Sequence, residues 1–202
     1  HDALPIYLEG MGNILENNTF GAKIHSFYKT STDPIQVSQT QEITDLINGG
    51  LSIMTFFGHS SATGFDFVVD DPSTYTNSGK YPLVFSLGCF TGQIHDNFRS
   101  IGESFVLQEN KGAIGFMATS GFGYIHALNQ TTSNIYNKIG GEFYGQGIGK
   151  TLQAVFGEIQ SSDYGSVILS QQYTYHGDPA IVINAHPTPD FIVDSKSPAI
   201  SS

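Results

Sequence analysis

Two side chains in this sequence are equipped for covalent chemistry, and each closes a short apolar run. Leu83-Val84-Phe85-Ser86-Leu87 leads through Gly88 to Cys89, the single cysteine, and the chain then turns through Phe90, Thr91 and Gly92. Upstream, Leu51-Ser52-Ile53-Met54-Thr55-Phe56-Phe57 runs into Gly58, His59, Ser60 and Ser61. A thiol is only a few per cent ionised at neutral pH, so an imidazole that takes up its proton makes it a useful nucleophile. The pair therefore points to acyl transfer through a cysteine. The plainer reading of an unpaired cysteine at a strand end is a small buried apolar residue.

Whether the pair can work together depends on the elements that carry it. A short apolar run bounded by turn signals fits a strand covered on both faces, although periodicity alone does not separate it from a buried helix. If the two runs are neighbours in a parallel sheet, His59 and Cys89 emerge together at its carboxyl edge, where open α/β folds place their ligand sites. Residues 40–50 read as a short helix with Ile43, Leu46 and Ile47 on one side and glycine at its end, handing directly to the His-bearing strand. That is the rhythm of a parallel sheet with crossover helices.

The remaining elements follow the same grammar. Residues 4–17 predict a helix with Pro5 in its first turn, weakened by Gly10 and Gly12, and residues 22–28 alternate loosely as a strand. Residues 62–80, with Asp66, Asp70 and Asp71, predict a loop-rich excursion over the site edge. A helix near 101–109 precedes a strand at 113–117, and the turn from Thr119 to Tyr124 then falls on the same edge as the cysteine, as a wall of the cleft. Helical patterns return near 129–139, 149–160 and 166–173, and Gly177-Asp178-Pro179 turns into a last strand at 180–183. From His186 onward the chain is rich in Pro and Ser and reads as a linker toward a downstream module. The opening His1-Asp2-Ala3-Leu4-Pro5 reads as the lead-in to a helix, which suggests a fragment with sequence upstream.

Composition bounds the function. A chain of 202 residues with 39% hydrophobic content supports one globular domain with a sizeable core. A net charge of -10, with Lys and Arg totalling 8, argues against nucleic acid and against an anionic membrane surface. One cysteine makes no internal disulfide, and no apolar run approaches the ~20 residues that a spanning helix needs. The glycines match neither the dinucleotide nor the Walker spacing. The polar, weakly charged composition is ordinary for a secreted or cell-surface bacterial protein.

Gly58-His59-Ser60-Ser61 and Ser86-Leu87-Gly88-Cys89, each behind an apolar strand, resemble the His-Gly and Ala-Cys blocks of caspase-like, clan CD cysteine peptidases, and within that clan the gingipain family. The likeness continues through Gly102-Glu103-Ser104-Phe105, residues 112–120 and His176-Gly177-Asp178-Pro179-Ala180, in the family's order. It implies a three-layer α/β/α peptidase domain over residues 1–185 with a mainly parallel sheet. It implies Cys89 as nucleophile, His59 as its acid and base, and an oxyanion hole built from the backbone N–H groups of Cys89 and Ser60. Such preorganised donors are worth roughly 3 to 4 kcal/mol each to the transition state. Thr119, Ser120, Gly121, Phe122 and Tyr124 would contact a protein or peptide substrate. Some members act as sortase-like transpeptidases in type IX secretion, where an amine in place of water resolves the acyl-enzyme.

The chain departs from that pattern at two places: Ser60 stands where the family usually has glycine, and Gly88 where it usually has alanine. A serine in a left-handed glycine conformation would strain the oxyanion hole. A catalytically silent binding or secretion module is the resulting alternative. The family's orienting acid lies upstream of its histidine and is not transferred to Glu42 or Asp45, which read as solvent-facing. Asp66 and Asp70 read as loop carboxylates, or else as selectors of a basic substrate residue. His25, His95 and His126 read as structural or exposed. No cofactor is implied. Asp70, Asp71 and Asp178 offer oxygen ligands for a structural calcium without an EF-hand loop, and nothing resembles a zinc cluster.

Overall fold

The computed structural model describes residues 4–29, 39–67, 69, 71–159 and 163–183. The proposed linker from 186 and Asp70 lie outside the described residues. Among the described residues, six strands and six α-helices form in the order α1 (Leu4–Leu15), α2 (Thr40–Gly49), β1 (Ile53–Phe57), β2 (Ser60–Ser61), β3 (Gly64–Phe65), β4 (Leu83–Leu87), α3 (Ile101–Val106), β5 (Gly115–Thr119), α4 (Ile125–Ile139), α5 (Ile148–Ile159), α6 (Tyr164–Gln172) and β6 (Tyr173–Gly177). The main sheet has the order β1-β4-β5-β6, and β2 and β3 make a small separate hairpin.

β1, β4 and β5 are parallel, and β6 closes the sheet antiparallel to β5. β4 and β5 are buried along their whole length, which explains why their sequences are unbroken apolar runs rather than alternating ones. Their odd and even positions feed two different cores. Leu83, Phe85, Leu87 and Met117 pack with residues of α1, α4, α5 and α6 on one face. Val84, Phe116 and Ala118 pack with Ile47 of α2 and with Ile101 and Phe105 of α3 on the other. The result is the three-layer α/β/α arrangement expected from the sequence.

Two predicted strands are corrected. Residues 22–28 form no strand, because a cavity of about 490 Å³ separates Ala22 to Phe27 from β1, and without a ladder partner alternation alone makes no sheet. Residues 180–183 contribute only an isolated bridge from Val182 to Gly147. Among the described residues the last strand is β6, where Tyr173 and Tyr175 face one core while His176 meets Phe116 on the other face. No Gly or Pro separates it from α6, so the predicted helix at 166–173 runs one residue into it.

Candidate active site

The register of the central pair decides the site's geometry. Phe57 pairs with Leu87 at the carboxyl ends of β1 and β4. His59 and Cys89 each follow two residues past that last pair, so both leave the ends of neighbouring strands. Ser60 Oγ donates to the Cys89 carbonyl at 2.9 Å, which ties the two turns directly together. His59 is exposed and Cys89 is half-buried.

The cysteine turn is built almost entirely from hydrogen bonds to β5 and the turn beyond it. Thr119 Oγ1 donates to the carbonyls of Gly88 at 3.0 Å and Gly121 at 3.1 Å. Phe90 N–H donates to Gly121 O and Gly92 N–H to Thr119 O, both at 2.9 Å. Ser86 and Thr91 share a buried hydroxyl bond of 2.7 Å, and Thr174 Oγ1 donates to Gly92 O at 2.9 Å. These contacts hold Phe90 at φ 61°, a left-handed conformation rare for a bulky residue. The cysteine is thus presented by a tight, internally satisfied turn.

Gly123 N–H donates to Cys89 Sγ at 3.4 Å. Gly123 lies just before Tyr124, the N-cap of α4, so the turn that starts this helix delivers the amide to the sulfur. A Cβ on Gly123 would approach Leu128 Cδ1 to 2.7 Å, so a glycine is what lets this amide come so close. Sequence reasoning placed the surrounding turn on the correct edge but missed this donor. The Gly-Phe-Gly spelling ahead of a helical pattern was the available signal.

The wall residues fall into two groups. Phe122 and Tyr124 are 63% and 58% exposed, and the Phe122 ring stacks edge-on against Phe90 at 4.7 Å. Thr119, expected to line the cleft, is fully buried, and its hydroxyl is engaged by two carbonyls, so it braces the turn from inside. Ser120 is half-buried and donates from both N–H and Oγ to Gln172 O. Gly121 supplies the carbonyl that receives Phe90 and Thr119.

The histidine turn is lighter. The β2–β3 hairpin follows it directly, with Asp66 N–H donating to His59 O at 3.0 Å. Antiparallel ladders alternate, so the Ser60 N–H points away from β3. Asp66 pairs with Lys29 at 3.2 Å and is largely covered, which removes it as a free selector of basic residues. Glu42 and Asp45 are exposed, as are His25, His95 and His126. Asp71 caps the 3₁₀ turn Pro72–Thr74 by accepting from Ser73 N–H, and Asp178 accepts from Ala180 N–H. Among the described residues no three acidic, histidine or cysteine side chains group as a metal site.

Behind the cysteine turn, His176 is pushed below its ordinary pKa by burial, an effect opposed by Glu103. Glu103 itself is held below the usual carboxylate range by the Ser100 N–H in the capping box that starts α3, with the Ser100 hydroxyl adding to it.

The comparisons with solved structures place this architecture among caspase-like α/β folds. The Arg-specific cysteine proteinase gingipain R superposes with a TM-score of 0.75 at 18% identity, over 89% of this chain and 42% of its own. The complex of Porphyromonas gingivalis RgpB pro- and mature domains gives a TM-score of 0.74 at 16% identity, over 88% and 43%. A further protease structure matches at 0.59 and 18%, over 68% of this chain and 36% of its own. This chain therefore spans less than half the length of the structures it matches. No curated relative matches its sequence. The model of peptidase family C25 matches residues 4–184, and the chain belongs to that family, the family of the gingipains.

Proposed function

We propose that this domain is a cysteine endopeptidase in which Cys89 is the nucleophile and His59 moves the protons. The observation that supports the reading is the Phe57–Leu87 pairing, by which the strands that run into His59 and Cys89 end side by side. Cys89 gives its S–H proton to the His59 imidazole, and its Sγ attacks the scissile carbonyl to form a tetrahedral intermediate. The amine departs with a proton from the imidazolium, leaving a thioester. Water then adds to the thioester, giving its proton to the imidazole, and the acid is released as the thiol re-forms.

The oxyanion falls to the Cys89 and Ser60 N–H groups in this reading. Its support is the outward direction of the Ser60 N–H and the absence of any hydrogen bond from the Cys89 N–H among the described residues. Phe122 and Tyr124 offer apolar and aromatic surface to an extended peptide, with Ser120 and Gly121 beside them. Membership of the gingipain family favours action outside the cell, and among the described residues no helix is long and apolar enough to cross a membrane.

The test is incubation with a mixed peptide library and, separately, with peptidyl chloromethyl ketones. Hydrolysis and a single adduct on Cys89 are expected, and both are lost in Cys89→Ala. An unmodified protein that cleaves nothing identifies the silent module.

A further inference from the structure

The peptide that follows the nucleophile is gripped from both sides. Its N–H, that of Phe90, donates to Gly121 O at 2.9 Å, and its carbonyl, that of Cys89, accepts from Ser60 Oγ at 2.9 Å. Between these two anchors Phe90 holds the left-handed conformation, φ 61°, which an aromatic residue does not adopt without support. Gly121 anchors the peptide from the β5 side, and Ser60 anchors it from the histidine side. The second grip belongs to a side chain, so it is open to substitution.

Room for that side chain comes from Gly88. A Cβ at position 88 would lie 2.0 Å from Ser60 Oγ and 2.9 Å from Ser60 Cβ, with Phe56 Cε1 at 3.2 Å closing the other side. A side chain at either position therefore excludes one at the other. The serine after the histidine and the glycine before the cysteine therefore share one space between the two turns.

We infer that Ser60 is a positioning residue for the nucleophile: its hydroxyl clamps the Cys89–Phe90 peptide, and positions 60 and 88 act as one interlocked unit. This rests on the reading of Cys89 as the nucleophile. Ser60 then serves the cysteine through its side chain, independently of any role for its N–H. The clamp also fixes the relative position of the two turns, since its two ends lie one on each.

The experiment is a cycle of Ser60→Gly, Gly88→Ala and the double variant, with Ser60→Ala added to remove the hydroxyl while keeping Cβ. The rate of Cys89 alkylation by iodoacetamide at one fixed pH and the thermal midpoint are measured for each, with kcat and KM on any peptide the wild type cleaves. Gly88→Ala is expected to lower the alkylation rate at least about tenfold, and the double variant, which relieves the clash but still lacks the hydroxyl, to recover to the rate of Ser60→Gly alone. Ser60→Ala should slow alkylation by about three- to tenfold with kcat falling and KM unchanged, a split that a merely structural hydroxyl would not produce. Wild-type rates in Ser60→Ala, or singles whose effects simply multiply in the double, overturn the clamp. If Gly88→Ala does not fold, Ser60→Ala and the folded double variant decide it. A wild type that hydrolyses nothing while positions 60 and 88 remain coupled in alkylation and thermal midpoint sinks the peptidase and leaves the clamp; hydrolysis with uncoupled positions does the reverse.

Discussion

The two turns at the carboxyl edge hold the Cys89 and His59 side chains by different means. The cysteine turn is buried from Gly88 backward and stitched to β5, β6 and α3 by hydroxyl and backbone bonds at almost every residue from Gly88 to Gly92. The histidine turn is carried by a two-residue hairpin, and His59 itself is exposed. A nucleophile must meet a carbonyl at fixed distance and angle, where a misplacement of about 1 Å can cost a hundredfold. An imidazole that serves both a thiol and a leaving amine gains from some freedom of movement. Hydrogen bonding is concentrated in the turn that carries the proposed nucleophile.

Paired glycine substitutions should expose that contrast most strongly. In the cysteine turn, a Cβ on Gly92 would lie 2.3 Å from Thr174 Oγ1 and 2.9 Å from Ala118 O, part of the sheet's own backbone. In the histidine turn, a Cβ on Gly58 would meet only side-chain ends, Asp66 Oδ1 and Phe56 Cζ, both at 2.9 Å. Gly92→Ala is expected to cost roughly 3 kcal/mol in urea unfolding and Gly58→Ala roughly 1 kcal/mol, because side chains can yield where backbone cannot. Equal costs would mean that the two turns are equally rigid.

Hydroxyl deletions give the next largest difference. Thr119→Val keeps the shape but leaves the Gly88 and Gly121 carbonyls without that donor, at a cost of roughly 1 to 2 kcal/mol, whereas Ser61→Ala on the exposed hairpin should cost under about 0.5 kcal/mol. Chemical denaturation of the two variants reads this directly. A Thr119→Val protein as stable as wild type would show that the brace is dispensable.

The smallest effect is a pH dependence behind the cysteine turn. The folded state binds the His176 proton more weakly than the unfolded chain, so below about pH 6.5 the unfolded state takes up more protons and stability falls as the pH drops. Glu103 acts in the same direction at lower pH, its contribution being full above the unfolded carboxyl range and lost as pH falls through the depressed folded value. The urea midpoint should decline between pH 7.5 and 5.5 in wild type, and less so in His176→Gln. An equal decline in both proteins would clear His176 of any part in it.

The same contrast explains what the sequence makes legible. β4 and β5 are covered on both faces, so their largely apolar runs announce them, and a run that stops at Gly88-Cys89 marks where the cysteine leaves the sheet. The strand at 22–28 was misread because alternation reports a half-buried face and not a partner. β6 was hidden because α6 passes into it without a breaker, although Tyr-Thr-Tyr has the β-branched and aromatic content of a strand. The strain expected of Ser60 does not arise, because it lies in β2 outside the left-handed region. Its link to Gly88, distant in sequence, becomes visible only once a Cβ at position 88 is seen to fall 2.0 Å from Ser60 Oγ.

The central claim is that His59 and Cys89 form one chemical unit, and the most direct measurement is the rate of Cys89 alkylation at pH 7 in wild type, His59→Ala, His95→Ala and His126→Ala. The account predicts that removing His59 slows the reaction at least about tenfold while removing either of the other two, both exposed, leaves it unchanged. A thiol that reacts equally fast with and without His59 would contradict it.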